Sequence, residues 1–145
     1  MSTAEAPRTL TASPVLELQL DCRSEAVGPA RHLATAFLEQ LEPAVEKDAK
    51  EAVILVVSEL VTNAVRHAGG TVCALRLRAG PESVVVDVHD SSSALPRPRT
   101  PDVTGEGGGF GWSMVCRIAS VVKVNRESAG KTVTAIIPRL GRGSS

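Results

Sequence analysis

Glu59-Leu60-Val61-Thr62-Asn63-Ala64-Val65-Arg66-His67 lies near the end of a long run with helical periodicity. Val53, Val57, Leu60, Val61, Ala64, Val65 and Ala68 recur at the spacing that gathers apolar side chains on one helix face. Glu59 and Asn63 are four apart, so they share a second face, and Arg66 and His67 continue it. This predicts a helix from about 46 to 68, stopped by Gly69-Gly70. One side is built for a core and the other carries a polar line. An Asn carbonyl oxygen is a hard ligand suited to Mg²⁺. A Glu one turn away can accept a proton or orient water or a metal. Taken alone, the same line is equally an ordinary solvated helix face.

The elements on either side of this helix follow from pattern. Residues 15–22 alternate apolar and polar (Val15, Leu16, Leu18, Leu20, Cys22) and read as a strand with one buried face. Ser24 is a candidate cap for a first helix carrying Leu33, Ala34, Phe37, Leu38 and Leu41, which Pro43 ends or interrupts. After the long helix, strands at about 71–79 and 83–90 flank Gly80-Pro81-Glu82 and suggest a hairpin. Residues 91–108 are rich in Ser, Pro and Gly and exclude a regular element. A connection that long in a compact domain is a functional lid or disordered. A short helix is expected from about Gly109–Gly111 to Ala119, then strands at 121–127 and 131–138 around Ser128-Ala129-Gly130. Residues 1–13 and 139–145 read as disordered ends of a single domain at 14–138. Strands joined by hairpins imply an α+β two-layer sandwich. Its sheet would be mixed and largely antiparallel, with the helices on one face.

Two further segments carry chemistry. Asp90 ends the strand Val84-Val85-Val86-Asp87-Val88-His89-Asp90 and opens the long connection. Such an Asp can accept a hydrogen bond from a ligand amine, for example that of adenine. Equally, it can cap its own turn. Gly105-Glu106-Gly107-Gly108-Gly109-Phe110-Gly111 precedes Trp112-Ser113-Met114-Val115. Glycines allow close backbone approach, and a helix start offers free N–H groups to phosphate. A plain hinge would look the same. A dinucleotide GxGxxG fails, because Phe110, Trp112 and Met114 stand where its third glycine would be. A P-loop fails because Asn125 stands five residues before Gly130-Lys131-Thr132.

Composition narrows the classes. Lys plus Arg and Asp plus Glu balance at 16 each, so no net field draws the chain to nucleic acid or an anionic membrane. One Trp, two Phe and no Tyr leave no stacking platform for single-stranded nucleic acid. Cys22, Cys73 and Cys116 are scattered without a CxxC and read as buried free thiols. No secretory pattern and no long apolar run are present, which points to a cytoplasmic location and no membrane.

Taken in order, these segments resemble the boxes of the GHKL ATPase/kinase superfamily, whose fold is the Bergerat ATP-binding sandwich. Glu59-x-x-Thr62-Asn63-Ala64-x-x-His67 is similar to its N-box and Asp90 to its first glycine box. Gly109-Phe110-Gly111-Trp112-Ser113-Met114-Val115 is similar to its second glycine box, and Gly130-Lys131-Thr132 to its late Gly-x-Thr feature. The resemblance spans about residues 15–138. The chain has no room for a phospho-acceptor domain, so among these proteins it looks like the stand-alone anti-sigma factor serine/threonine kinases. The resemblance implies a homodimer that binds ATP and Mg²⁺, sequesters a sigma factor and phosphorylates an antagonist protein. A binding-only regulatory module is the alternative it implies. Nucleic acid is not an implied direct partner. By position, the resemblance makes Asn63 the Mg²⁺ ligand and Glu59 the general base. Asp90 would contact adenine, and His67 would line the nucleotide. Gly109 and Gly111 would hinge a lid, and Thr132 would sit near the base. Arg97 and Arg99 are candidate phosphate contacts by their charge, or simply a solvated basic loop. The first helix, with Arg31 and His32, is the dimer surface the resemblance implies. Ser92 stands where many members have glycine, which implies weaker nucleotide affinity.

Overall fold

The computed structural model describes residues 13–68, 71–92 and 111–140. Within them the order is β1 (Val15–Asp21), a 3-10 turn at Ser24–Ala26, α1 (Val27–Glu39), α2 (Lys47–Ala68), β2 (Val72–Ala79), β3 (Ser83–Asp90), α3 (Gly111–Ile118), β4 (Val121–Glu127) and β5 (Gly130–Pro138). The five strands form one sheet in the order β1-β2-β3-β5-β4, antiparallel at every pairing. The expected two-layer α+β sandwich is therefore what the chain forms, with no parallel pair among the described strands.

α2 is rich in β-branched residues, which favour strands. Burial overrides that preference. Ala49, Val53, Val56, Val57, Leu60, Val61, Ala64 and Ala68 are all buried, at the spacing of one helix face. Each fully buried Val or Leu is worth about 1.5–3 kcal/mol over exposure. Asp48 in the first turn and Arg66 in the last complement the helix dipole. α1 tolerates Pro29 because it falls in the first turn, where no intrahelical N–H bond is lost. The helix ends at Glu39, before Pro43.

The sheet's inner face is an apolar ladder. Leu75 pairs with Val88 and Leu77 with Val86, while Val86 also pairs with Ala135 and Val88 with Val133. The ladder's next rung is Asp90 opposite Lys131, so a row of buried aliphatics ends in a charged pair. The outer face is mixed, with polar side chains beside a row that includes Val85 and Ile136. Arg76 bridges Glu17 at 3.3 Å, and Thr134 Oγ1 donates to Asp87 Oδ1 at 2.5 Å. α2 lies across β2, β3 and β5 on the inner face, α3 lies against β4, and α1 packs on α2.

Two readings of the sequence are corrected here. Arg139, placed in the trailing segment, is buried and fixed. Its guanidinium donates to the carbonyls of Gly80 (2.8 Å) and Pro43, and its backbone N–H donates to Glu82 O at 2.9 Å. Cys116, expected to be buried, is exposed on α3, whereas Cys22 and Cys73 are in the core. The readings of residues 1–12, 69–70, 93–110 and 141–145 fall outside the described residues. No helix among the described residues is long and apolar enough to cross a membrane.

Candidate functional site

Glu59, Asn63 and His67 stand one above another on α2, each a turn from the next. All three are partly buried. Eight residues of helix separate the ends of this line, about 12 Å along the axis. Each end meets a different element.

At one end is α3. Gly111, its first residue, is buried against Glu59. A Cβ on residue 111 would overlap Glu59 Oε1 and stand 2.7 Å from Glu59 Cδ. Only glycine leaves the carboxylate where it is. Burial pushes the Glu59 carboxyl above its ordinary value, and the positive charge of Arg66 partly opposes this. A carboxylate held in this way is a better proton acceptor than a solvated one.

At the other end is the charged rung of the sheet. Lys131 Nζ lies 3.0 Å from Asp90 Oδ1 and 2.9 Å from Oδ2, with both side chains almost wholly buried. His67 Nδ1 is 3.3 Å from the same ammonium. The Ser92 backbone N–H donates to Asp90 Oδ1 at 2.8 Å. Asp90 therefore does cap its own turn, one of the two uses open to it from sequence. Gly130 holds the rung in place. Its φ is +138°, a conformation in which L side chains are strained, and a Cβ there would overlap Asp90 O and lie 2.8 Å from Ser91 Cα. The start of β5 is thereby pressed against the end of β3.

Behind the line, Cys22 Sγ donates to the Ala64 carbonyl at 3.2 Å, tying the end of β1 to α2. Cys73 is next to it. Burial and the neighbouring Cys22 thiol push the Cys73 thiol up to about 12.

The structure thus brings together Glu59, Asn63, His67, Asp90 and Gly111. It does not bring Thr132 to them. Residues alternate faces along a strand, so Thr132 points to the sheet's outer face. There its hydroxyl lies 3.1 Å from His89 Nδ1 and donates to Glu127 Oε2 at 3.2 Å. The residue of Gly130-Lys131-Thr132 that faces the site is Lys131, which motif reading passed over. Strand alternation alone places Lys131 and Thr132 on opposite faces; deciding which faces inward needs the register to Asp90. Arg97, Arg99 and Gly109 lie outside the described residues.

An antiparallel five-stranded sheet with helices over one face, and a polar line on the central helix between a glycine-started helix and a strand-end Asp, defines an ATPase-type α+β sandwich. The chain belongs to the histidine kinase-like ATPase domain family, whose model matches residues 20–137. Among solved structures it is similar to the RsbU and RsbW domains of Rv1364c from Mycobacterium tuberculosis. That match has 21% identity and a TM-score of 0.61, and covers 90% of this chain and 34% of that one. This chain thus spans about a third of that protein's length. It also matches the histidine kinase domain of the Erythrobacter litoralis EL346 blue-light activated histidine kinase. There the identity is 20% and the TM-score 0.47, covering 79% of this chain and 60% of that one. Likeness at such identity speaks for the fold alone. No curated protein matches the chain.

Proposed function

We propose that this domain binds ATP with Mg²⁺ along the Glu59–Asn63–His67 line and transfers a phosphoryl group to a serine or threonine of an antagonist protein. On this reading it acts in the cytoplasm as a homodimeric anti-sigma factor that also sequesters a sigma factor. The observation that carries the proposal is the shared position of four segments far apart in sequence. Glu59 abuts the first residue of α3, and His67, two turns on, abuts the strand-end pair Asp90–Lys131. That arrangement offers one end to phosphates and the other to a base. The RsbU and RsbW domains of Rv1364c share the fold that this reading needs.

The donor set fits the phosphate end. Mg²⁺ keeps several waters and takes few protein ligands beside phosphate oxygens, so one half-buried Asn carbonyl at Asn63 suffices. Bound ATP would supply the phosphoryl group and leave as ADP, with Mg²⁺ neutralising phosphate charge. The rest falls to the chain. Glu59 takes the proton of the acceptor hydroxyl as its oxygen bonds to phosphorus. Asn63 would hold the metal, and the free N–H groups at the start of α3 would be donors for the phosphates. Incubation with labelled ATP and a cognate antagonist tests the proposal. Label should reach a serine or threonine in wild type and be lost in Glu59→Ala. Transfer that survives Glu59→Ala removes the mechanism.

A second reading, capture of a partner without phosphoryl transfer, is favoured by the Ser92 amide, which takes up one oxygen of Asp90. A pull-down from the native cell, with and without ATP, separates the two. Capture of a sigma factor with no phosphorylated antagonist in either condition supports the second.

A further inference from the structure

Asp90 and Lys131 are both nearly inaccessible, with side-chain exposures of 2% and 1%. An ammonium has three protons to donate. Here all three have acceptors inside the protein: Asp90 Oδ1 at 3.0 Å, Asp90 Oδ2 at 2.9 Å, and His67 Nδ1 at 3.3 Å when that nitrogen is unprotonated. The carboxylate is almost as fully engaged. Oδ1 accepts from Lys131 and from the Ser92 amide, and Oδ2 accepts from Lys131. The pair closes on itself, and Gly130 fixes the strand that carries the lysine against the strand that carries the aspartate.

On the reading above, Asp90 recognises the amino group of a nucleotide base. An amino group is what Lys131 already supplies. We propose that Lys131 is an internal stand-in for that ligand amine: it occupies the Asp90 carboxylate and holds the base end of the site closed, so that an adenine nucleotide binds only by displacing the ammonium. This inference rests on the nucleotide reading and adds a competitor built into the chain. The cost of displacement is physical. Withdrawing one partner of a buried ion pair leaves the other charge uncompensated unless the incoming group replaces it. A neutral base amine replaces it only in part, because hydrogen bonds between two charged groups are stronger than those with one. While it sits on Asp90, with His67 Nδ1 accepting the third proton, Lys131 has no donor free for a ring nitrogen of the base. Ser92 tightens the closure by holding Oδ1 in the turn.

The test compares wild type with Lys131→Thr, using Mg-ATP and Mg-ITP titrated by calorimetry. Inosine lacks the exocyclic amine. Freeing one charged acceptor for a ligand donor should tighten ATP about ten- to a hundredfold, with little gain for ITP. ATP no tighter in Lys131→Thr than in wild type overturns the proposal and leaves the nucleotide reading intact. An equal gain for ATP and ITP also overturns it, since Lys131 would then act by bulk alone. Absence of nucleotide binding by both proteins, each shown folded by circular dichroism, removes the nucleotide reading and this inference together. Should Lys131→Thr not fold, amine-reactive labelling of wild type decides. Lys131 should be protected in the free protein and become labelled with Mg-ATP present. Lys131 still protected in that case overturns the proposal.

Discussion

Glu59 and Gly111 are in contact: the carboxylate on α2 occupies the space that a side chain on the first residue of α3 would need. The glycine is there for its neighbour, since its φ is not one that L residues avoid. Gly111→Ala should therefore leave the fold intact, because the atoms in conflict are the far end of a flexible side chain. Its thermal midpoint should stay within a few degrees of wild type. Phosphoryl transfer should fall roughly a hundredfold, the scale expected when a catalytic group is displaced by about 1 Å. A large loss of stability with normal transfer per folded molecule would mean that Glu59 is not working from this position.

Glu59 carries a second consequence, through pH. Burial raises its folded carboxyl pKa above the ordinary value. The native state then holds a proton more readily than the unfolded chain, so stability falls as pH rises through this window. Below the unfolded value the burden is absent; above the raised value it is complete. Glu59→Gln should thus be slightly more stable than wild type at pH 7, by less than about 1 kcal/mol after solvent screening. The two should converge near pH 4. Thermal melts across that range check this. Transfer should follow the opposite course in wild type, rising with pH as the carboxyl ionises, and should be absent in Glu59→Gln. Equal stability of the two proteins at both pH values would contradict the assigned burial cost.

Gly130 is where backbone freedom is required. Its φ of +138° and the nearness of Asp90 and Ser91 leave no room for a Cβ, and the atoms in the way are backbone. Gly130→Ala should cost on the order of 3 kcal/mol, a drop of roughly 10 °C in thermal midpoint for a chain of this size. Gly28 in α1 provides the contrast. A Cβ there meets nothing within 4 Å, so Gly28→Ala should be neutral or stabilising by up to about 1 kcal/mol. Similar midpoints for the two variants would show that the β3–β5 closure is not rigid.

These comparisons also show why some of the site was legible in the sequence and some was not. The strands and helices were legible because their apolar periods of about two and 3.6 are set by local geometry. Glu59, Asn63 and His67 followed from the same geometry, since one helix must place them in line. Lys131 could not be found that way. Motif reading selected Thr132, its neighbour. Which of two adjacent strand residues faces the helices depends on register, and a slip of one residue exchanges them. Here that register is set by Gly130 meeting the end of β3, a contact across 40 residues of sequence that no local pattern records. Arg139 and Cys116 escaped for a related reason. A charged residue near a chain end reads as solvated, yet Arg139 is held by two carbonyls brought from Gly80 and Pro43. A cysteine in an apolar helix reads as core, yet the core side of α3 is taken by Gly111 and Val115.

The three thiols should accordingly separate by reactivity. Cys116 is exposed, while Cys22 and Cys73 lie in the core. The thiolate is the reacting species, and the Cys73 thiol, pushed up to about 12, is essentially never ionised at neutral pH. Cys22 is shielded and donates its proton to Ala64 O. Native protein should take up one equivalent of a thiol reagent quickly, at Cys116, and all three of its cysteines should react only in denaturant. Cys73 should stay silent even at about pH 9, because its titration lies well above that. Mass spectrometry of the labelled peptides assigns the sites. Rapid labelling of Cys73 in folded protein would mean that the start of β2, behind Cys22, opens readily. The helix line Glu59–His67 would then lack the rigid backing that positions it.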